Sequence, residues 1–236
     1  MKLSTRFPRL FNPLLAGASF RDRVIGCVGA LIGIGLTALA CTGLHLTVAE
    51  LPLLLAPVGA SAVLVFAVPA SPLAQPWSVV GGNVVSALMG VTVAQLMPPS
   101  IIAAGLAVAG ATLAMSLARC LHPPGGAVAL TAVIGGPVIT ASGYWFALMP
   151  VATNSFALVL VGLIFHRFSH HSYPHQPALV QGADKSVAGF HPEAIDLALA
   201  DLGETFDVSR EDLDLLLQRA SFHERRRRTA TRRVRI

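Results

Sequence analysis

From Val24 to His166 the chain carries only two residues of the Asp, Glu, Lys or Arg type, Glu50 and Arg119. No water-facing domain presents so long a run without charge. Soluble chains carry about a quarter charged residues, against 12% here, with 54% hydrophobic. The run therefore requires apolar surroundings, and the fold class expected is an all-α, polytopic transmembrane helix bundle. The net charge of +5 gathers at the two ends. Lys2, Arg6, Arg9, Arg21 and Arg23 precede the apolar run, and an Arg-dense tail closes the chain. That distribution reads as a positive-inside bias rather than as a nucleic-acid footprint. Cys27, Cys41 and Cys120 lack metal-site spacing and read as small packing residues.

Six apolar segments are expected, at about 24–44, 51–68, 78–97, 101–119, 121–135 and 144–165. The second and fifth are short and Pro-interrupted, so four complete spans plus two re-entrant segments is an equally open count. Six segments put both termini on one side, with Arg119, Arg167 and the tail at the cytoplasmic face of a bacterial inner membrane. The first span is expected to be a retained signal anchor. Around the membrane domain (24–167) lie a basic N-terminal segment (1–23), a linker (168–190), two amphipathic cytoplasmic helices (191–221) and a tail (222–236) expected to be irregular. In the first helix Ile195, Leu199 and Leu202 share a face. In the second, Ser209 and Asp212 have capping-box spacing, and Leu213, Leu216, Leu217 and Ala220 form a stripe.

One stretch breaks the apolar pattern. Leu121-His122-Pro123-Pro124-Gly125-Gly126-Ala127, with Arg119 just before it, places an imidazole, two helix breakers and two glycines in a very apolar region. Lipid cannot satisfy freed backbone groups, so such a break is enclosed by protein or lines a wet cavity. A helix restarting after the proline pair is expected to leave the amides of Gly125, Gly126 and Ala127 free at a positive helix end that could hold an anion. A related stretch lies in the other half: Pro57-Val58-Gly59-Ala60-Ser61 within Leu55–Ala62. Asn83 and Asn154 sit in the helices that follow. The two halves read as a 3+3 inverted repeat with broken helices in matching places, a pattern of transporters with a midplane site. The competing reading is a pair of packing kinks, with the two Asn side chains joining helices.

These motifs carry a resemblance. His122 to Ala127, Ala56 to Ala62, Ser71-Pro72-Leu73-Ala74-Gln75-Pro76 and Gly81-Gly82-Asn83, in that arrangement over about residues 20–168, resemble the signature of the HPP family of integral membrane proteins. The resemblance implies a membrane domain usually described with four spans. It also implies, for some members, nitrite transport. Many members carry paired CBS domains beyond the membrane part. None follows in this chain, so adenosyl-ligand sensing is not expected here.

The function expected is therefore a transporter or channel for a small inorganic anion, nitrite leading. The candidate binding residues are His122, Pro123, Pro124, Gly125, Gly126, Ala127, Pro57, Gly59, Ala60, Ser61, Asn83 and Asn154. The alternative is a membrane anchor or sensor that signals through its cytoplasmic helices. No paired acids, nucleophile with base, or metal cluster lies in the spans, so an enzyme is not expected, nor is a cofactor or metal. The expected partners are a small anion, membrane lipids for the Arg-rich tail, and, as an open alternative to a monomer, a second copy of the chain, not nucleic acid. Arg119 is expected to snorkel, Glu50 and His45 to lie in a loop, and His166 and His170 to be solvated.

Overall fold

Apolar side chains cover the outside of the membrane domain, while polar ones are buried among small and apolar residues in its interior. Leu31, Leu39, Ile101, Leu113, Leu117 and Phe156 are exposed, whereas Ser61, Asn83, Ser86, His122, Asn154 and Ser155 are buried. This inversion suits lipid, where helix association rests on close packing and interhelical hydrogen bonds rather than on apolar burial. The computed structural model describes residues 19–42, 51–169, 171–176, 192–202 and 207–233. It is all-helical among those residues. His45, Glu50, His170 and residues 1–18 lie outside them.

Helix α1 (Phe20–Thr42) starts earlier than the apolar pattern suggests. Ser19 and Asp22 form a reciprocal cap, with the Ser19 amide donating to Asp22 (2.9 Å) and the Asp22 amide to Ser19 Oγ (3.3 Å). The apolar pattern is blind to that charged first turn. Helix α2 (Leu51–Ala67) runs as one helix through Pro57, so the break expected there is absent. A proline inside a helix removes one backbone donor, and helix on both sides can tolerate that loss. Helices α1 and α2 meet at glycines. A Cβ on Gly33 would lie 2.4 Å from the Phe66 ring.

A 3-10 turn at Pro72–Ala74, capped by Ser71, leads into α3 (Pro76–Leu96). Helix α4 (Ile101–Leu117) opens on Ser100, whose hydroxyl accepts the Ala103 amide at 3.1 Å. Its inner face is Ala103, Ala107, Ala111 and Met115, one residue per turn. It ends in a Schellman pattern. Arg119 donates to the Ser116 carbonyl and Cys120 to that of Met115. Arg119 occupies the left-handed position (φ 53°) that usually falls to glycine. Its side chain is exposed at the helix end.

Helix α5 (Pro124–Ile134) and helix α6 (Pro137–Ser142) are separated by Gly135-Gly136, with Gly136 at φ 86°. Eleven residues of α5 span about 16 Å, half the hydrocarbon thickness. A π-helical turn at Ala147–Ala152, kinked at Met149 and containing Pro150, runs into α7 (Thr153–His166). The interrupted segments are thus the fifth and sixth, not the second and fifth. Among the described residues three segments have the length and composition to cross a membrane: Phe20–Leu39, Pro76–Leu96 and Ala147–His166. Helix α3 is the central one, packed against α4, α5 and the π turn, with α1, α2 and α7 grouped beside it.

After α7 the chain turns back over the domain. His166, expected to be solvated, is buried: its Nε2 donates to the Val65 carbonyl (2.9 Å), and Ser169 meets its Nδ1 at 2.7 Å. Helices α8 (Pro192–Leu202) and α9 (Arg210–Arg233) follow. Ser209 caps α9 through the Asp212 amide at 3.1 Å, as the spacing indicates. The Arg-dense segment expected to be irregular continues α9 to Arg233. Arg210 and Asp196 tie α9 to α8 with two hydrogen bonds, 2.7 and 3.0 Å. The stripes are only partly used. Ile195 is buried, while Leu202 and Leu216 are exposed.

Candidate functional site

The broken chain before α5 is held by its histidine. His122 is completely buried. Its Nδ1 lies 2.8 Å from the Leu73 carbonyl and its Nε2 lies 2.8 Å from Ser61 Oγ. A carbonyl only accepts, so Nδ1 carries the proton. This joins the α4–α5 connection to α2 and to the Pro72–Ala74 turn at once. Close approach is possible because α3 presents glycine. A Cβ on Gly82 would stand 2.6 Å from both the Cys120 carbonyl and His122 Cβ.

Ser61 extends the network. Its Oγ lies 3.0 Å from the Pro57 carbonyl and receives the Asn83 side-chain amide at 3.4 Å. The same amide donates to Ser155 Oγ at 3.0 Å. Asn83 Oδ1 and Ser86 Oγ are buried without a hydrogen-bond partner. Each such group costs about 1–3 kcal/mol unless a ligand or water reaches it.

Asn83 and Ser155 also line an internal cavity of about 20 Å³, with Pro57, Thr131, Phe146 and Asn154 among its other walls. Such a volume holds about one water. Its polar groups are amides and hydroxyls, and no charged residue lines it. One wall belongs to the kinked π turn, where Phe146, Pro150 and Val151 face inward. Turns of this type interrupt a helix where function needs an irregular wall.

The candidate residues separate clearly. His122, Ser61, Asn83, Asn154 and Pro57 come together. Pro124 and Gly125 are buried beside them, and a Cβ on Gly125 would lie 2.5 Å from Ser86 Oγ. Gly59, Ala60, Pro123, Gly126 and Ala127 are at least partly exposed. Two of the three amides expected to be free are taken: Gly125 donates to the His122 carbonyl (2.8 Å) and Gly126 to the Pro123 carbonyl (3.0 Å). The chain folds into a turn before α5 and spends those donors internally. The polar groups at the cavity are therefore side chains. Ser86, Thr131 and Ser155 were missed, because a lone hydroxyl in an apolar helix most often returns to its own backbone, as Thr131 does with Ala127.

The outer side of the Ser71–Pro76 turn holds the segment that follows α7. Ser71 Oγ donates to Asp207 (2.7 Å), and Gln75 Oε1 accepts the His175 amide (2.9 Å). His175 Nε2 in turn donates to Asp212 at the start of α9 (2.9 Å). Tyr173 donates to the Ala74 carbonyl (3.0 Å), and burial pushes its phenol well above the ordinary range, so it stays a donor. Burial alone would raise the Asp212 carboxyl, but hydrogen bonds from His175 and Ser209 outweigh it and hold it below the usual value. A depressed carboxylate stabilises the folded state above its unfolded pKa of about 3.9, and that contribution is lost as pH falls through the folded value. Docking of α9 is therefore expected to persist to about pH 4 and to weaken below it. Hydrogen exchange of the α9 amides against pH measures this, and Asp212→Asn is expected to abolish the acid transition.

A charge-free cavity of amides and hydroxyls, enclosed by apolar helices, defines a membrane protein with a small polar site in its interior. The chain belongs to the HPP transmembrane-region family, whose model matches residues 16–174. A transmembrane protein of Dictyostelium discoideum is 37% identical over 147 residues, covering 60% of this chain and 47% of its own length. A second transmembrane protein of that organism is 34% identical over 131 residues, covering 53% and 46%. The chain thus spans about half the length of the curated relatives it matches. No solved structure matches it.

Proposed function

We propose that the membrane domain transports a small inorganic anion, with nitrite the leading candidate, and that the anion is held by the side chains around the cavity. The observation that carries this reading is a buried, uncharged polar site in which Asn83 is incompletely satisfied. Neutral donors bind an anion without trapping it, as conduction requires. Rotation of the Asn83 amide would let its oxygen accept from the Ser61 and Ser155 hydroxyls and would turn its NH₂ toward the ligand. Nitrite has three heavy atoms and exceeds a one-water cavity, so loading requires a wall to move. The Met149 kink beside Pro150 is the irregular wall available for that. The two Pro-containing stretches meet at the site through Ser61 and His122. Both termini are placed in the cytoplasm by the positive-inside bias.

The test is nitrite uptake into liposomes holding the purified full chain, in neutral buffer, where nitrite is already ionised. Uptake well above that of empty liposomes is expected. Equal uptake rules out nitrite as the substrate.

A second reading has its own observation: Asp207 accepts from Ser71, and Asp212 holds His175, whose amide donates to Gln75 of the membrane domain. The cytoplasmic helices would then report or set the state of the domain. Removal of residues 190–236 separates the two. A changed uptake rate supports coupling, and an unchanged rate leaves the segment to a separate partner.

A further inference from the structure

We propose that His122 takes up one proton when the anion binds, so that the site carries a proton and an anion together. This rests on the anion-transport reading and names its coupling ion. The argument is an accounting of hydrogens around Ser61. Nδ1–H of His122 is committed to the Leu73 carbonyl. When the imidazole is neutral, Nε2 is an acceptor, and the Ser61 hydroxyl donates to it across 2.8 Å. When the imidazole is protonated, Nε2–H donates to Ser61 Oγ, and the Ser61 hydrogen turns to the Pro57 carbonyl 3.0 Å away. In the unloaded site Ser61 Oγ also accepts from Asn83, and in the loaded site the rotated Asn83 oxygen offers the Ser61 hydrogen a second acceptor beside the Pro57 carbonyl. The hydroxyl is thus a rotor with an acceptor on either side. His122 gains its proton without losing a hydrogen bond and without any heavy atom moving.

What the site lacks is a counter-charge. Ser61, Asn83, Ser155 and the carbonyls of Leu73 and Pro57 are all uncharged. Among the described residues, the other titratable groups at these elements are Cys120 in the same connection, Tyr173 on the Ala74 carbonyl, His166 on the Val65 carbonyl, and Asp207, His175 and Asp212 on the outer side of the Ser71–Gln75 turn. Neither carboxylate has a hydrogen bond to the ring, Asp207 being held by Ser71 and Asp212 by His175 and Ser209, and Arg119 lies exposed at the end of α4. An unpaired buried imidazolium is costly. An anion at Asn83, Asn154 and Ser155 supplies the missing charge, with only Ser61 and Asn83 between it and the ring. Each ligand lowers the cost of the other, and the loaded site is neutral in charge. A neutral pair also crosses a bilayer at the lowest electrostatic cost.

The experiment is calorimetry of nitrite binding to the purified full chain in two buffers of different protonation enthalpy. The difference gives the protons taken up per nitrite. About one proton is expected in neutral buffer, with nitrite affinity falling about tenfold for each pH unit of alkalinisation. His122→Gln, which keeps a donor for Leu73 and an acceptor for Ser61, is expected to bind with no proton uptake. Nitrite binding without proton uptake in the unmodified protein overturns the inference and leaves the transport reading standing. Undiminished uptake in His122→Gln overturns the assignment to this residue. Failure to bind nitrite at all overturns both readings, a pattern distinct from loss of the proton alone. The measurement on the unmodified protein decides the question even if the variant does not fold.

Discussion

Asn83→Leu is expected to lower nitrite uptake roughly ten- to hundredfold while leaving the domain folded. A hydrogen bond to a charged group contributes about 1.5–3 kcal/mol, and each 1.36 kcal/mol is a factor of ten. Asn83 is the residue whose amide reaches both Ser61 and Ser155 and also lines the cavity. The same change removes a buried oxygen that has no partner, which relieves about 1–3 kcal/mol. The Ser61 hydroxyl keeps His122 and Pro57 as partners. Thermal unfolding in detergent is therefore expected to stay close to that of the unmodified protein while uptake collapses. A parallel loss of both would make Asn83 a structural join between helices and nothing more.

Gly90→Val is expected to do the opposite: to remove the folded domain altogether. A Cβ at this position would lie 2.5 Å from the Ala129 carbonyl oxygen, 2.8 Å from Ala132 Cβ and 2.9 Å from Ala129 Cα. Backbone cannot swing aside as a side-chain tip does, so α3 and α5 would have to part. Overpacking ordinarily costs about 1–3 kcal/mol, and a forced separation of the central helix pair falls at or above the top of that range. The readout is the yield of monodisperse protein from membranes. Gly59 gives the control, since nothing lies within 4 Å of its added Cβ. Gly59→Ala is expected to be neutral or to stabilise by about 0.5–1 kcal/mol, through helix propensity alone.

These contrasts show why the candidate site was only half legible. The His-Pro-Pro-Gly-Gly stretch stands out because prolines, glycines and an imidazole are locally anomalous in an apolar run. Asn83 and Asn154 stand out for the same reason. Gly59 and Ala60 were selected by similarity to that stretch, yet α2 stays helical through Pro57 and turns them away from the site. Whether a proline breaks a helix depends on what surrounds it, and composition does not carry that information. The amides of Gly125 and Gly126 misled in a related way. A helix start promises free donors, but the turn at His122 and Pro123 uses them first. The kink at Met149 had no local signal beyond Pro150.

Residues near one another in the chain determined the membrane class, the order of six apolar segments, the Ser209–Asp212 cap and the family motifs. Each of these depends on local charge, period or spacing. Tertiary structure alone decided that Ser61 meets His122 across sixty-one positions, that Ser155 joins Asn83, and that the turn after α2 carries both His122 within and α9 without. The physical reason is close approach. Glycines such as Gly82 and Gly90 let backbones come within van der Waals contact, and which helices then touch is set by packing over the whole bundle.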